Sequence, residues 1–399
     1  MILVEKHIVS KNNNLYSEID NLALKSKNLY NKANYVIRQS FINDKLYLNY
    51  NTIQKIAQDE KWDEYYCLPA KVSQQTLMLL DKNWKSFFKS IKDWGKHKSK
   101  YLGRPKLPKY KDVKSGRNIV IYSNQAISYK KEGYVKLSKT NIEIKTNLKN
   151  INQVRLIPRY GHYVVELVYE KQEEELKHSD NLIGIDLGVN NLCTITSNFD
   201  SPKIVNGKPL KSINQYFNKS KSDLQSKLKS RQFTSNRIEK LTFKRNNKIN
   251  HYLHNVSKWI IDYCLTNNVS KIIIGKNVNW KQDVNLGSKT NQSFTQIPFT
   301  NLISMITYKA QLQGISIIMT EESYTSKCSF IDNEDICKHD DYLGKRVKRG
   351  LFRSKDKKLI NADVNGSFNI IRKVIPEFSY EIVRNRGFVV NPKLVEISV

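Results

Sequence analysis

Acidic residues at three widely separated places have the clearest potential for chemistry in this sequence. Asp186 lies within an apolar, strand-like run, and Asp363 lies in a helix-like stretch near the far end of the chain. Between them, Glu321 and Glu322 follow the apolar run 315–319. Three carboxylates brought together in a folded protein could hold two magnesium ions and support phosphodiester cleavage. The acidic residues therefore suggest a nuclease.

Each of these positions also has an ordinary structural interpretation. Gly184 and Gly188, on either side of Asp186, would let a substrate approach the backbone closely, but a lone Gly-x-Asp-x-Gly is often only a strand end. Asp363, taken alone, is typical of a helix N-cap, because its carboxylate could accept hydrogen bonds from free backbone amides. These residues alone do not establish a nuclease, so the hypothesis also needs support from the order of helices and strands along the chain.

The charge of the chain points to a polyanionic partner. Its 399 residues include 67 Lys and Arg against 37 Asp and Glu, a formal net charge of +30. Repulsion among so many positive charges destabilises the folded chain unless a polyanion neutralises them. Nucleic acid is the obvious candidate for this polyanion. No apolar stretch approaches the length of a membrane-spanning helix, and the first residues lack a signal-peptide pattern. We therefore expect a cytoplasmic protein with no membrane partner.

Hydrophobic spacing in the first half predicts helices followed by strands. Apolar residues recur at helical spacing through residues 15–94, which indicates a packed helical bundle. Residues 117–171 change to a period of two, with turns at Gly133 and Gly161, which is typical of antiparallel hairpins. Residues 1–10 also have strand character. We expect a small antiparallel β-barrel with the helical bundle as an insertion.

A basic segment joins the helical and strand regions. Residues 96–117 contain nine Lys or Arg and one acidic residue, with tyrosines interleaved. Cations could contact phosphates while the aromatic rings stack on bases. A solvated linker punctuated by proline is the alternative, but so dense a run of charge favours nucleic-acid binding. The residues that we predict to bind are Lys96, Lys98, Lys100, Tyr101, Arg104, Lys106, Lys109 and Lys111.

The second half follows a ribonuclease H-like order of elements. The predicted strands are 182–187, 192–196, 202–205, 271–275 and 315–320, and the predicted helices are 214–267, 298–313 and 362–373. A ribonuclease H-like domain begins with three antiparallel strands and then alternates helices with strands, as the predicted elements do here. In such a fold, a strand-borne aspartate at the sheet centre meets carboxylates from a neighbouring strand and from a C-terminal helix. The chain as a whole is therefore predicted to be α+β and multidomain.

Several motifs, in this order along the chain, resemble the TnpB family. They are Ser73-Gln74-Gln75-Thr76-Leu77 with Phe87-Phe88, Gly103-Arg104-Pro105-Lys106, Gly184-Ile185-Asp186-Leu187-Gly188, His254-Asn255-Val256-Ser257, Tyr324-Thr325-Ser326-Lys327-Cys328-Ser329 and Asp363-Val364-Asn365-Gly366-Ser367-Phe368-Asn369-Ile370. TnpB proteins are transposon-encoded, RNA-guided DNA nucleases related to type V CRISPR effectors, with a RuvC-type, ribonuclease H-like domain. The resemblance covers nearly the whole chain and implies a prokaryotic protein that joins the nucleoid when bound to DNA.

The resemblance implies roles for the acidic residues. Asp186 matches the first RuvC aspartate and Asp363 the last, so both would be magnesium ligands in DNA cleavage. Where the family usually has a glutamate after the fourth strand, this chain has Gly275. In a subset of TnpB-like proteins this glutamate lies after the following strand, where Glu321 and Glu322 stand here. Adjacent residues of a strand point to opposite faces, so only one should serve, and we favour Glu322 as the third ligand of two magnesium ions.

The family's zinc finger is incomplete in this chain. The resemblance would place two Cys-x-x-Cys pairs before the last aspartate, but only Cys328 and Cys337 are present there, with His339 and His254 as further donors. Their spacing is poor for structural zinc, so we expect a metal-free basic loop. The five cysteines are odd in number and scattered, which indicates reduced thiols.

The same loop is rich in positive charge. Residues 345–358 carry eight basic residues and one acidic residue, which would suit phosphate contacts. The residues that we predict to bind nucleic acid here are Lys345, Arg346, Lys348, Arg349 and Arg353.

These predictions divide the chain into five parts. They are a wedge-like β-barrel (1–14 and 96–180), a helical recognition insertion (15–95), a RuvC-like nuclease domain (181–323 and 361–375), a degenerate zinc-finger-like insertion (324–360) and a C-terminal tail (376–399). The expected partners are a transposon-derived guide RNA and double-stranded target DNA with a short adjacent motif. Base pairing with the guide would then choose the target.

Three alternatives stay open at this point. A nuclease-dead relative would bind guide RNA and target DNA and act as a repressor, and a missing glutamate would be its signature. A guide-independent transposase would share the fold and the metals, but we see no helix-turn-helix pattern with which it could recognise transposon ends. A structural RNA-binding protein would make Asp186 and Asp363 coincidental.

Overall fold

Two compact units, Met1–Lys171 and Gln172–Val399, make up the computed structural model of this chain. The structure describes residues 1–230, 232–277, 287–385 and 391–398. Helices and strands occur in both units, which confirms the predicted mixed α+β class. No helix in these ranges is long and apolar enough to cross a membrane.

The first unit begins with a strand, continues with helices and ends with strands. Its helices are α1 (Tyr16–Asp44), α2 (Tyr50–Asp59), α3 (Asp63–Tyr66) and α4 (Ala70–Lys96). Its strands are β1 (Ile2–Ser10), β2 (Val120–Ser123), β3 (Ile127–Lys131), β4 (Tyr134–Leu137), β5 (Glu143–Lys145), β6 (Ile151–Arg159) and β7 (His162–Glu170).

The helical prediction for residues 15–94 is confirmed, and its physical basis is a buried face. Leu77, Leu80 and Trp84 of α4 are fully buried, because residues three or four apart share one face of a helix. The indole N–H of Trp84 donates to the side-chain oxygen of Asn34 on α1 at 3.0 Å. That bond pairs two polar groups inside the core.

The strands of this unit form two antiparallel sheets. One has the order β1-β7-β6-β2 and the other the order β3-β4-β5. The predicted hairpins are present, with turns at Gly133 and Gly161, where φ is +74° and +76°. Glycine is favoured at both positions because a side chain is strained in the left-handed region. Closure of these strands into a barrel remains a prediction.

Asp20 ties α1 to the strands of the first unit. Its two carboxylate oxygens accept hydrogen bonds from Arg117 at 2.9 and 2.8 Å, and Tyr163 of β7 donates to it at 2.7 Å. The hydrogen bonds from Arg117 hold the pKa of Asp20 below its usual value.

We expect Asp20→Asn to lower the free energy of unfolding by about 2 kcal/mol at neutral pH, because hydrogen bonds to a charged group are lost. A carboxylate whose pKa is lowered by folding stabilises the protein above its unfolded pKa of about 3.9. That contribution is lost as the pH falls through the folded pKa. Urea denaturation at neutral and acidic pH measures both effects, with Asp44→Asn at the exposed end of α1 as the control. Equal stability of Asp20→Asn and wild type at neutral pH would contradict the prediction.

The second unit carries a central sheet, helices and a small separate sheet. Its strands are β8 (Leu182–Leu187), β9 (Asn191–Ser197), β10 (Lys203–Asn206), β11 (Lys271–Gly275), β12 (Ser316–Thr320), β13 (Lys345–Lys348), β14 (Leu351–Arg353), β15 (Leu359–Asn361) and β16 (Lys393–Val395). Its helices are α5 (Lys208–Ser226), α6 (Asn236–Thr266), α7 (Ser288–Gln296), α8 (Phe299–Gln311), α9 (Ala362–Val374) and α10 (Tyr380–Asn385).

The central sheet has the order β12-β11-β8-β9-β10-β16. Strands β8, β9 and β10 are antiparallel neighbours, whereas β11 runs parallel to both β8 and β12. The predicted succession of three antiparallel strands and then alternating helix and strand is thus confirmed. The region predicted as helical from 214 to 267 contains two helices, and α6 begins at its own cap, Ser235, whose hydroxyl accepts the N–H of Ile238 at 3.4 Å.

Helices cover both faces of this sheet. Ile183 and Ile185 belong to the core that β8 shares with α6 and α8. The opposite face packs against α9, because a Cβ atom at Gly184 would lie only 2.6 Å from Ile371 Cγ1. Gly184 therefore makes room for a helix, and the expected approach of substrate at this glycine is wrong. Asp186, two residues further along the strand, lies on the same α9 face.

Candidate active site

Asp186 stands near the end of β8, next to α9. A Cβ atom at Gly366 of α9 would lie 3.1 Å from Asp186 Oδ2. Burial, and then the carboxylates of Glu322 and Asp363, raises the pKa of Asp186 well above its usual range, while Arg346 acts in the opposite direction. The carboxylates of three candidate residues from the sequence are therefore close enough to interact electrostatically.

Glu322 occupies the space that the absent side chain of Gly275 leaves. Ile274 pairs with Ile185 in parallel register, so Gly275 and Asp186 are neighbours on the same face of the sheet. A Cβ atom at Gly275 would lie 2.7 Å from Glu322 Cγ and 2.9 Å from its Oε1. A glutamate that follows β12 thus reaches the place where the end of β11 has no side chain.

Burial determines the properties of the Glu322 carboxylate. It raises the pKa of Glu322 to about 7, against a smaller opposing effect of Lys373. The Oε1 atom is buried and has no hydrogen-bond partner. The backbone of the residue is held in place, because its N–H donates to Asn277 Oδ1 at 2.8 Å and its carbonyl accepts from Thr325. An unpaired carboxylate oxygen in such a place is available as a ligand atom.

Glu321 has a different environment. Its side chain is exposed and accepts a hydrogen bond from the hydroxyl of Ser323. The structure therefore brings Glu322, and not Glu321, to Asp186. This matches the expectation that adjacent residues point to opposite faces.

Asp363 lies in the first turn of α9 but does not cap the helix. The N-cap is Asn361, whose side chain accepts the N–H groups of Asp363 and Val364 at 2.9 and 3.2 Å. The carboxylate of Asp363 instead accepts hydrogen bonds from Asn191 at 2.7 Å and from Arg346 at 3.2 Å. The N-cap interpretation of Asp363 is wrong, because the preceding asparagine satisfies the amides.

The donor set fits magnesium in its chemistry. Asp186, Glu322 and Asp363 offer carboxylate oxygens, which hard divalent cations prefer. Within the described part of the chain, no three His, Cys, Asp or Glu side chains already form a metal-binding cluster. Asn191 and Arg346 each donate to a different oxygen of Asp363, and an ionised carboxylate keeps further lone pairs with which it can bind a metal.

Three residues that shape this site received no role from the sequence. Asn191 donates to Asp363, Asn277 positions Glu322, and Gly366 leaves room for Asp186. Gly366 could have been found, because glycine inside a helix is unfavourable and marks a close approach. A single asparagine at the start or after the end of a strand carries no comparable signal.

The candidate zinc ligands make short-range contacts of their own. Cys337 Sγ and His339 Nε2 are 3.4 Å apart, and the buried thiol of Cys328 donates to the carbonyl of Cys337. His254 lies on α6, where its carbonyl accepts a hydrogen bond from Lys309 at 3.0 Å. A metal-free state of this segment stays a prediction.

Residues 104–117, here called the basic strap, are fixed against α1. The ammonium of Lys27 donates to the carbonyl of Val113 at 2.8 Å. Asn31 exchanges two hydrogen bonds with the backbone of Lys111, at 2.9 and 2.8 Å. Because α1 binds backbone groups of the strap, the exposed side chains of Lys106, Lys109 and Lys114 remain available for other contacts, whereas Arg117 is paired with Asp20.

The predicted nucleic-acid-binding side chains of this region differ in their surroundings. Tyr101 donates its hydroxyl to Asp93 at 2.8 Å, and the guanidinium of Arg104 lies 6.0 Å from the ring centroid of Trp94. Lys111 lies 5.3 Å from the ring centroid of Tyr30. The exposed lysines are Lys96, Lys98, Lys100, Lys106 and Lys109.

The basic loop of the second unit contains a small sheet of order β13-β14-β15. The side chain of Arg346 in β13 reaches Asp363, as described above. Arg353, at the end of β14, is half-buried. The other predicted contact residues are exposed, namely Lys345, Lys348 and Arg349.

Two family models match this chain. The model described as "Probable transposase" (OrfB_IS605) matches residues 162–281, and the model of the Cas12f1-like TNB domain matches residues 299–370. Together the two matches include all of the candidate carboxylates.

Three relatives are similar in sequence. The TnpB-like protein ORF457 of Acidianus two-tailed virus is 24% identical over 93% of this chain and 86% of its own length. The TnpB-like protein MJ0751 of Methanocaldococcus jannaschii is 30% identical over 41% of this chain and 57% of its own length. The CRISPR-associated endodeoxyribonuclease Cas12f2 of Micrarchaeota archaeon is 26% identical over 53% of this chain, which spans 40% of that relative.

Proposed function

The chain is a TnpB-type protein, and from this premise we propose that it is a magnesium-dependent, RNA-guided DNA endonuclease. It would bind a guide RNA derived from a transposon end and cleave double-stranded DNA next to a short adjacent motif. The observation that carries the proposal is the position of Glu322, which fills the space beside Gly275 on the face of Asp186. If the chain had simply lost the family's usual glutamate at position 275, no second glutamate would be needed to fill the space beside Gly275.

The three carboxylates would have complementary tasks in this reaction. Asp186, Glu322 and Asp363 would hold magnesium through their oxygens. Bound magnesium supplies an activated water and stabilises charge on the leaving oxygen. Asn191 would orient Asp363, and Arg346 would add positive charge where the phosphate group enters the site.

The positive charge of the chain supports nucleic-acid partners in both units. The basic strap presents exposed lysines on a backbone that α1 holds in place. The β13-β14 hairpin presents further cations, and one of them reaches Asp363. Phosphate contacts of this kind bind without reading the sequence, so base pairing with the guide would supply specificity.

The order of the central sheet supports a RuvC-type assignment of the second unit. Strands β8, β9 and β10 are antiparallel, and β11 and β12 extend the sheet on the other side of β8. This is the ribonuclease H-like order expected from the sequence. The wedge-like barrel, the helical recognition insertion and the degenerate zinc-finger-like insertion belong to the same proposal, with the boundaries given above.

A nuclease-dead, RNA-guided repressor is the second candidate function. The observation that favours it is the ion pair between Arg346 and Asp363, which places a positive charge beside a carboxylate that would have to hold a cation. If Arg346 keeps this position, its charge repels a metal cation and neutralises part of the charge of Asp363. DNA would then be bound and not cut.

The decisive experiment is magnesium-dependent cleavage of a plasmid library by the protein copurified with RNA from its own flanking DNA. Cutting next to a common short motif, lost when magnesium is chelated, is the expected result. Guided binding without cutting would establish the repressor. Purification without any bound RNA, together with specific binding of transposon ends, would instead favour a guide-independent transposase.

A further inference from the structure

A cavity of about 450 Å³ lies beside the turn between β3 and β4, in the small sheet of the first unit. Two tyrosines and two lysines contribute to its lining, namely Tyr129, Tyr134, Lys131 and Lys149. The volume is within the range of about 300 to 1,000 Å³ that is usual for small-ligand sites. None of these residues belongs to the basic strap or to the candidate active site.

We infer that this cavity binds one unstacked nucleotide of a single-stranded nucleic acid. Bases stack on exposed aromatic faces, and ammonium groups contact the phosphates on either side of a base. The inference rests on the proposed function, in which the protein retains an RNA and opens DNA, so single-stranded segments of both are present.

The aromatic wall of the cavity is fixed in advance. The hydroxyl of Tyr129 accepts the backbone N–H of Ile151 at 2.8 Å, which anchors the tip of the ring on the neighbouring sheet. Tyr129 is nevertheless 44% exposed, which leaves part of the residue accessible to a ligand. A rigid ring loses little entropy when a base stacks on it.

The cationic wall stands next to the second tyrosine. The ammonium of Lys131 lies over the ring of Tyr134, 4.4 Å from its centroid, in a cation–π contact. Lys149 is exposed and has no described hydrogen-bond or ion-pair partner. Two ammonium groups outweigh the one carboxylate of the lining, that of Glu132, which favours an anionic ligand.

Residues 146–148 line another part of the cavity, where hydrogen bonds fix the backbone and the side chain of Asn147 could pair with a base. The N–H of Thr146 donates to the carbonyl of Gly133 at 2.8 Å, and Thr146 Oγ1 accepts the N–H of Leu148 at 3.1 Å. These bonds set Asn147 in a tight turn with its side chain exposed. A primary amide both donates and accepts, and so can pair with the edge of a base.

The test measures binding of a short oligouridine RNA, and of the matching thymidine DNA, to the purified full-length chain by fluorescence anisotropy. Tyr129→Ala should weaken binding about tenfold, the usual effect of losing one stacked base. Because Tyr129 also accepts a hydrogen bond, Lys149→Ala provides a second variant, for which we expect a loss of about threefold. Lys145→Ala, exposed on neighbouring β5 and outside the cavity, is the matched control and should bind as wild type does.

Photochemical crosslinking with iodouridine-substituted RNA locates the contact directly, and adducts on Tyr129 or Tyr134 are expected. A loss confined to the RNA probe would assign the cavity to the guide, and a loss confined to the DNA probe would assign it to an opened target strand. Unchanged affinity of both variants, with crosslinks only outside residues 127–149, would overturn this inference and leave the proposed function intact. Failure of the wild type to bind either probe would also overturn this inference, whereas the plasmid-cleavage experiment decides the proposed function independently.

Discussion

Asp186→Asn should reduce DNA cleavage by at least about a thousandfold while guide RNA and target DNA stay bound. The carboxylate stands at the centre of the sheet beside Glu322 and Asp363. An amide keeps its shape but offers a weaker ligand to a hard cation, and several kcal/mol of transition-state stabilisation are lost. Cleavage rates of a plasmid carrying the matching target, together with gel-shift affinities, measure the two effects separately.

The control for this variant is another carboxylate of the same unit. Asp223 lies on α5, is exposed and pairs with Lys227 at 2.8 Å. Asp223→Asn removes the same charge outside the candidate site and should cleave as wild type does. A loss of DNA binding by Asp186→Asn as large as its loss of cleavage would contradict a role as metal ligand.

Glu322→Gln should cause a similar loss of cleavage, whereas Glu321→Gln should leave the rate within about twofold of wild type. The two residues are adjacent, yet Glu322 is half-buried beside Gly275 and Glu321 is exposed. Each substitution replaces a carboxyl group by an amide, and the two positions are adjacent, so the pair controls for the chemical change and for its place in the chain. Single-turnover cleavage by the two variants is the measurement, and equal rates would remove the displaced-glutamate proposal.

Gly275→Ala extends this comparison without touching a carboxylate. The added Cβ would lie 2.5 Å from Ile370 Cδ1 and 2.7 Å from Glu322 Cγ, so Glu322 has to move. A loss of cleavage by Gly275→Ala would agree with a requirement for the exact place of Glu322, and an unchanged rate would show that its carboxylate reaches the metal from elsewhere.

Much of the framework could be predicted because it depends on periodic patterns. Strand β8 matches its predicted bounds, and α9 ends one residue beyond its prediction. The spacing of apolar residues predicts buried strands and amphipathic helices, because burial of one face stabilises these elements. β16 was not predicted, because three residues are too short to show a period.

The surroundings of the site were less accessible to prediction than its carboxylates. Strand alternation predicted that only one of Glu321 and Glu322 serves, but the complementarity of Glu322 and Gly275 depends on the register of β11 against β8. The donors Asn191 and Arg346 meet Asp363 only through tertiary contacts across more than one element. The sequence around Asp363 does not predict which distant residues will contact it. The catalytic roles themselves remain predictions.

The pairing of Gly275 with Glu322 makes the two positions interdependent in their mutational effects. A glutamate introduced at position 275 alone would crowd the one already present, and removal of Glu322 alone would empty the place. Only the double exchange, Gly275→Glu with Glu322→Gly, offers one carboxylate and the space to hold it. In a sequence alignment, this chain has glycine in the column of the usual glutamate and would be classified as lacking that residue. The carboxylate is nevertheless present in the fold, because it follows a different strand.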